Sequence, residues 1–216
     1  MSFSELNPQA YFIVGTDTGV GKTFIASRIV QQFVNQGYKT VGMKPIASGC
    51  EKNAQGEWVN EDVTALSQAS NVQAPLDLIN PYRFQPAIAP HIAANQAGVN
   101  IEIAKISECF SALQQQADMV IVEGAGGFLV PINQQETLAD LAVALKLPII
   151  LVVGMRLGCI NHVLLTVEAI KHRGLTLAGW VANQIDPQMP EFHENVASVR
   201  KRVDANLLSV VQFGLN

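Results

Sequence analysis

Between residues 10 and 37 the chain reads AYFIVGTDTGVGKTFIASRIVQQFVNQG: an apolar run, a glycine-rich turn and an amphipathic stretch in direct succession. Nothing else in the sequence restricts the fold as much. A strand that stops at glycines and re-enters as a helix through Gly-Lys-Thr is the local setting of a phosphate-binding loop. Ile25, Ile29 and Phe33 recur at helical spacing, and Gly37 offers a C-terminal stop. One residue departs from the pattern G-x-x-x-x-G-K-[ST], because its first glycine falls at position 16, where this chain has Thr16. Gly19 and Gly21 keep the turn permissive if Thr16 stays at negative φ. In that arrangement the amides of Gly19, Val20 and Gly21 and the helix start surround the β- and γ-phosphates of a nucleotide. Lys22 neutralises their charge, and the Thr23 hydroxyl is a ligand for Mg2+. The plain alternative is an ordinary glycine-rich turn.

The rest of the chain keeps the same alternation. Short apolar runs at 39–47, 118–127, 147–154 and 176–183 read as strands. The stretches 61–70, 101–117, 160–174 and 190–203 read as helices, and SGCEKNAQGEWVNED reads as a loop. The run LPIILVVG is apolar throughout, as expected of a parallel strand covered on both faces. The expected fold is therefore α/β: a single domain over 1–216 with a mainly parallel sheet, helices on both faces and right-handed crossovers. Ligands of such sheets sit at the C-terminal ends of strands.

Composition narrows the class. Hydrophobic residues make up 49% and charged residues 15%, enough apolar material for a sizeable core. The net charge of −4 and the lack of a Lys/Arg run before RKR at 200–202 argue against a nucleic-acid or membrane-surface partner. No apolar run approaches the roughly 20 residues that span a bilayer. The N-terminal MSFSELNPQAYF lacks a basic region followed by an apolar one, so no secretory signal is expected. Cys50, Cys109 and Cys159 are odd in number and widely spaced, which suits reduced thiols and a cytoplasmic location.

Four further stretches lie where a parallel sheet would present a ligand. MVIVEGAGG is an apolar strand ending in Glu123, at the place where phosphate-loop enzymes keep the carboxylate that orders Mg2+. Gly124, Gly126 and Gly127 after it allow close backbone approach, or simply make a tight turn. Lys44, in GMKPIASG, ends a strand and either points into the cleft or is solvated. Asp62, in NEDVTAL, is either a further Mg2+ ligand or an acid in the dipole-favoured first turn of a helix. Asn183, closing WVAN, either meets a nucleotide base or terminates its strand as a polar residue.

Taken together, FIVGTDTGVGKT, KPIASG, NPYRF…PAIAPH, VEGAGG, IILVVG, LGCINH and LAGWVAN resemble the dethiobiotin synthetase family over most of the chain. The loop alone is widely shared; its combination with KPIASG and VEGAGG in order is specific. The family carries threonine at the position of Thr16. The resemblance implies an ATP- and Mg2+-dependent cyclo-ligase that makes dethiobiotin from 7,8-diaminopelargonate and CO2. It implies a carbamate and then a carbamic-phosphoric anhydride, with Lys44, Lys22 and Thr18 as catalytic groups. Thr23, Asp62 and Glu123 would hold the metal, and Asn183 would touch adenine. Ser48, Gly126 and Gly127 would meet substrate or phosphate. The family is a homodimer, so Leu157, Gly158 and Asn161 would receive the substrate's carboxylate tail across the interface. Asn206, in a segment without proline, and Asn195, where an aromatic is common, depart from the family pattern.

Two rivals fit less well. Nucleotide-switched partitioning proteins with a deviant loop carry a second lysine five residues before the first, which here is Asp17. Amide-forming ligases of the cobyrinate type need an added glutaminase domain, for which 216 residues leave no room.

Overall fold

Strands whose apolar runs do not alternate must be covered on both sides, and the central sheet meets that demand. The computed structural model describes residues 3, 5–7, 9–56 and 58–214. The reading of the N-terminus and of the end of the chain falls partly on residues 1, 2, 4, 8, 215 and 216, which lie outside the described residues. In chain order the elements are β1 (Tyr11–Gly15), α1 (Lys22–Asn35), β2 (Thr40–Met43), β3 (Ile46–Ser48), β4 (Glu51–Lys52) and β5 (Trp58–Val59). Next come α2 (Glu61–Ala69), α3 (Leu76–Ile79), β6 (Tyr82–Phe84), α4 (Pro90–Gln96), α5 (Ile103–Gln114) and β7 (Met119–Gly127). The last are α6 (Leu138–Leu145), β8 (Ile149–Met155), α7 (Cys159–His172), β9 (Leu177–Gln184), α8 (Phe192–Arg200) and β10 (Leu207–Val211).

Six strands form one sheet in the order β10-β9-β8-β1-β7-β2, and every pairing in it is parallel. Side chains alternate between two buried clusters: Phe12 and Val14 of β1 face one, Tyr11 and Ile13 the other. The first cluster takes in α5, α6, α7 and α8; the second takes in α1 through Ile25, Ile29 and Phe33. All of β8, Ile149–Met155, is buried. Each large aliphatic residue enclosed this way contributes about 1.5–3 kcal/mol.

Two parts of the sequence reading need correction. The segment 39–47 is not one strand. β2 ends at Met43, the Lys44 amide donates to the Ile79 carbonyl at 2.9 Å instead of a ladder, and Pro45 has no N–H to offer. β3 then pairs with β6 in a separate two-stranded sheet. The expected loop after Gly49 contains the short antiparallel pair β4–β5.

The first turn of α6 holds an acid that does two jobs. The Asp140 carboxylate accepts hydrogen bonds from the Thr137 amide and hydroxyl, both 2.7 Å, and pairs with Arg173. Burial opposes the ionised form, but these partners outweigh it and hold the carboxyl below its ordinary value. Asp140→Ala is expected to cost about 1 kcal/mol at neutral pH. Because the folded pKa is depressed, the wild-type advantage is present above the unfolded value of about 3.9 and fades as pH falls through the folded value. Urea denaturation at pH 7 and pH 3 checks this; a deficit independent of pH would contradict it.

Candidate active site

The phosphate loop is held from three directions. Gly19 and Gly21 take φ of 70° and 86°, and Gly21 opens α1 with no side-chain cap, so the first amides of the helix stay available. From β9, the fully buried Asn183 donates Nδ2 to the Val20 carbonyl at 2.9 Å. A Cβ on Gly21 would lie 2.2 Å from that same nitrogen. From β8, the Val152 carbonyl accepts the Thr16 amide at 3.0 Å, and the Gly154 amide donates to the Thr16 hydroxyl at 3.4 Å. Among the described non-glycine residues only Lys146 and Glu191 have positive φ. Thr16 therefore needs no glycine conformation, and its hydroxyl adds a contact that glycine cannot make.

Lys44, Asp62, Glu123 and Thr23 converge beside this loop. Lys44 is buried, and its Nζ donates to Glu123 Oε1 at 2.6 Å and Asp62 Oδ2 at 2.7 Å. The solvated reading of Lys44 is thereby overturned. Asp62 does sit in the first turn of α2, but Asn60 caps that helix by accepting the amides of Asp62 and Val63, so the Asp62 carboxylate is free to turn inward. Its Oδ1 lies 2.6 Å from Thr23 Oγ1, and Glu123 Oε1 lies 2.8 Å from the same hydroxyl.

The electrostatics follow from that crowding. Burial pushes the fully enclosed Glu123 carboxyl up, against the pull of Lys44. Burial also works against the Lys44 ammonium, but Glu123 and Asp62 outweigh it and hold its pKa above the ordinary lysine value. Asp62 is held below the usual carboxylate range: burial opposes, and Lys44 with the Thr23 hydrogen bond prevails. Lys22, also buried, is lowered to about 8 by burial and then by the neighbouring charge of Lys44.

One hydroxyl proton cannot serve two carboxylate oxygens at once, and Glu123 Oε2 is buried without a hydrogen-bond partner. A hydroxyl and two carboxylates that converge with one oxygen unpartnered suit a hard divalent cation that takes oxygen ligands and keeps part of its water shell. The residues present thus fit Mg2+.

A cleft of about 390 Å³ opens from this cluster, lined by Thr18, Lys44, Ser48, Asp62 and Gly126 with an apolar wall that includes Ile46, Ile88 and Val130. The Ser48 hydroxyl is buried and unpartnered. Gly126, at φ 67°, has no room for a side chain, since a Cβ would meet Val130 Cγ2 at 2.9 Å. Gly127 lies against the loop, 3.8 Å from the Thr16 carbonyl by the same measure. Leu157, Gly158 and Asn161 do not line the cleft; they are exposed at the start of α7. Asn183 has its Nδ2 committed to the loop and its Oδ1 buried without a partner.

Two residues were missed in the sequence. Asn80, fully buried, donates Nδ2 to the carbonyls of Lys44 at 2.5 Å and Tyr82 at 3.2 Å, fixing the backbone from which Lys44 reaches inward. Its place at the head of NPYRF was the one available signal. Arg156 pairs with Asp17 across 139 residues, which no local pattern announces.

A family model described as an AAA domain matches residues 9–213. The chain is 54% identical over 204 residues to an ATP-dependent dethiobiotin synthetase of Aromatoleum aromaticum, covering 94% of this chain and 90% of that one. It is 47% identical over 206 residues to the enzyme of the same name from Cellvibrio japonicus, covering 95% and 90%. The fold is similar to that of the septum site-determining protein MinD of Pyrococcus horikoshii, with a TM-score of 0.59 at 14% identity, covering 94% and 81% of the two chains. It is also similar to chloroplast FtsY of Physcomitrella patens, with a TM-score of 0.58 at 18% identity, covering 99% and 62%.

Proposed function

This chain belongs to the ATP-dependent dethiobiotin synthetase family, and from that premise we propose that it closes the ureido ring of dethiobiotin through a carbamate, with Mg2+ required. The observation that carries the mechanism is the convergence of Lys44, Asp62, Glu123 and Thr23 between the phosphate loop and an apolar-walled cleft.

The loop amides and Lys22 hold the β- and γ-phosphates of ATP. Thr23, Asp62 and Glu123 would hold Mg2+, which when bound supplies charge neutralisation to the phosphate oxygens. The diamine lies with its carbon chain along Ile46, Ile88 and Val130. One of its amines adds to CO2, losing a proton, and Lys44 meets the negative charge of the resulting carbamate. The fields of Lys44 and Lys22 also favour a neutral, nucleophilic amine. A carbamate oxygen attacks the γ-phosphorus and ADP leaves. The second amine attacks the anhydride carbonyl, expels phosphate and closes the ring. Thr18, the Ser48 hydroxyl and the Gly126 and Gly127 amides donate to substrate or transferred phosphoryl oxygens. Positioning and charge supply the catalysis, so no nucleophile–base pair is needed. The unpaired Asn183 Oδ1 is suited to accept from the exocyclic amine of adenine.

The reading extends to a homodimer. Leu157, just before α7, and Leu165, on it, are 88% and 58% exposed, apolar surface that a second copy would cover. Leu157, Gly158 and Asn161 would then meet the substrate's tail in the neighbouring subunit's site. A cytoplasmic location is in keeping with three cysteines that are all free.

Purified protein given diaminopelargonate, bicarbonate and MgATP is expected to yield dethiobiotin by mass spectrometry, with ATP hydrolysis dependent on both co-substrates. Hydrolysis indifferent to them would sink the reading.

A further inference from the structure

Building on the placement of ATP in the phosphate loop, we propose that Arg156 is a positioning residue for the phosphoryl donor. It straps the outer half of the loop to the end of β8 and cancels the Asp17 charge at the rim of the site.

The loop is hung from two supports. Its second half, Gly19 to Thr23, belongs to α1 and is braced by Asn183. Its first half depends on β8: Thr16 is tied to Val152 and Gly154, and Asp17 to Arg156, which directly follows the strand. Both carboxylate oxygens of Asp17 are engaged. Oδ1 accepts the Thr18 amide at 2.7 Å and Oδ2 accepts Arg156 Nη2 at 2.5 Å. The Asp17 carbonyl accepts Lys22 Nζ at 3.0 Å. Arg156 is itself anchored, since its carbonyl accepts the Cys159 amide at 3.0 Å in the first turn of α7.

An aspartate at the lip of a polyphosphate site is a liability unless something cancels it. It stands within the loop itself, with its carboxylate on the Thr18 amide and its own carbonyl on Lys22 Nζ, so its field reaches the place of the phosphates. The same field would repel the phosphates of ATP, and Arg156 supplies the compensating charge. The two side chains are 43% and 45% exposed, and an ion pair that open adds little to fold stability. Its effect is therefore read in ligand affinity. The strap also joins the phosphate loop to Leu157 and Gly158, the segment reached by the neighbouring subunit's substrate in the reading above.

Calorimetric titration of the full-length protein with a non-hydrolysable ATP analogue and Mg2+ tests the proposal. Arg156→Met is expected to weaken binding about 5–10-fold at low ionic strength, with the deficit shrinking to about 2-fold near 0.5 M salt. Arg156→Lys should restore most of the affinity. Adding Asp17→Asn to Arg156→Met should recover it too, because the unpaired charge is gone, while melting temperatures stay within about 2 °C of wild type. Unchanged affinity in Arg156→Met overturns the proposal, as does a loss equally large at high salt or in the double variant. Wild-type protein that binds the analogue but makes no dethiobiotin would sink the synthetase reading and leave this one standing. Wild-type protein without affinity for the analogue would overturn both.

Discussion

Replacing Lys44 by alanine is expected to abolish ring closure and to cost the metal-free protein about 3–5 kcal/mol. The stability loss follows from what the lysine leaves behind. Glu123 is fully buried and Asp62 partly so, and Lys44 is the ammonium hydrogen-bonded to both. Without it the cost of desolvating two carboxylates is uncompensated, and Glu123 must take up a proton or draw in water. Catalysis fails for a separate reason, since among the described residues that line the cleft Lys44 is the one cation. The two losses can be separated. Millimolar Mg2+ should restore much of the melting temperature, because a divalent ion satisfies the same oxygens, and nucleotide binding should survive. Turnover should stay at background. Wild-type turnover in the variant would remove Lys44 from the chemistry, and unchanged urea stability would mean that its ion pairs carry nothing.

The second large effect is expected at Gly21. Alanine there must adopt φ near 86° and place its Cβ 2.2 Å from Asn183 Nδ2. The left-handed backbone and the displacement of a buried amide from the Val20 carbonyl together cost about 2–4 kcal/mol. A loop reshaped that far should lose at least about 100-fold in ATP affinity. Gly19 provides the control. Its φ is 70°, but nothing lies within 4 Å of its Cβ direction, so Gly19→Ala should cost only about 1 kcal/mol. Titration of ATP into both variants decides the matter; equal losses would show that backbone conformation, and not the contact with Asn183, is what Gly21 supplies.

How much was legible in the sequence depends on how local the cause was. The strand, loop and helix from Tyr11 to Asn35 declare themselves by periodicity and glycine placement, and so do β7, β8, α7 and β9. Runs apolar on both faces gave the parallel sheet. The eight-residue α6 was invisible because LADLAVAL is too short and too apolar for its period to stand out, and its start is fixed by Asp140 reaching back to Thr137. The division of 39–47 into two strands hinges on Pro45 and on the distant Ile79 carbonyl. At the site, residue types pointed to Thr23 and Glu123. For Lys44 and Asp62 spacing left two readings open, because only the folded chain shows that their ends meet. Arg156 acts through Asp17, 139 residues away, and Asn80 through Lys44 as well as the nearby Tyr82, so beyond NPYRF one sequence carries no trace of these pairings.

The strand order also fixes when this site can exist during synthesis. β1 lies between β7 and β8, and each pairs with it in parallel. A nascent chain that has emerged only as far as residue 118 holds the whole Gly-Lys-Thr loop, yet it has neither neighbour for the strand that carries it. β2, already made, pairs with β7 and not with β1. The loop's ties to Val152, Arg156 and Asn183 come later still. The first recognisable motif to leave the ribosome is thus among the last to take shape, and a chain arrested before β8 presents an apolar strand with an open edge. Pairing at such long range is slow and exposes hydrophobic surface while it waits. Truncated products of this chain should accordingly need chaperone protection more than they need nucleotide.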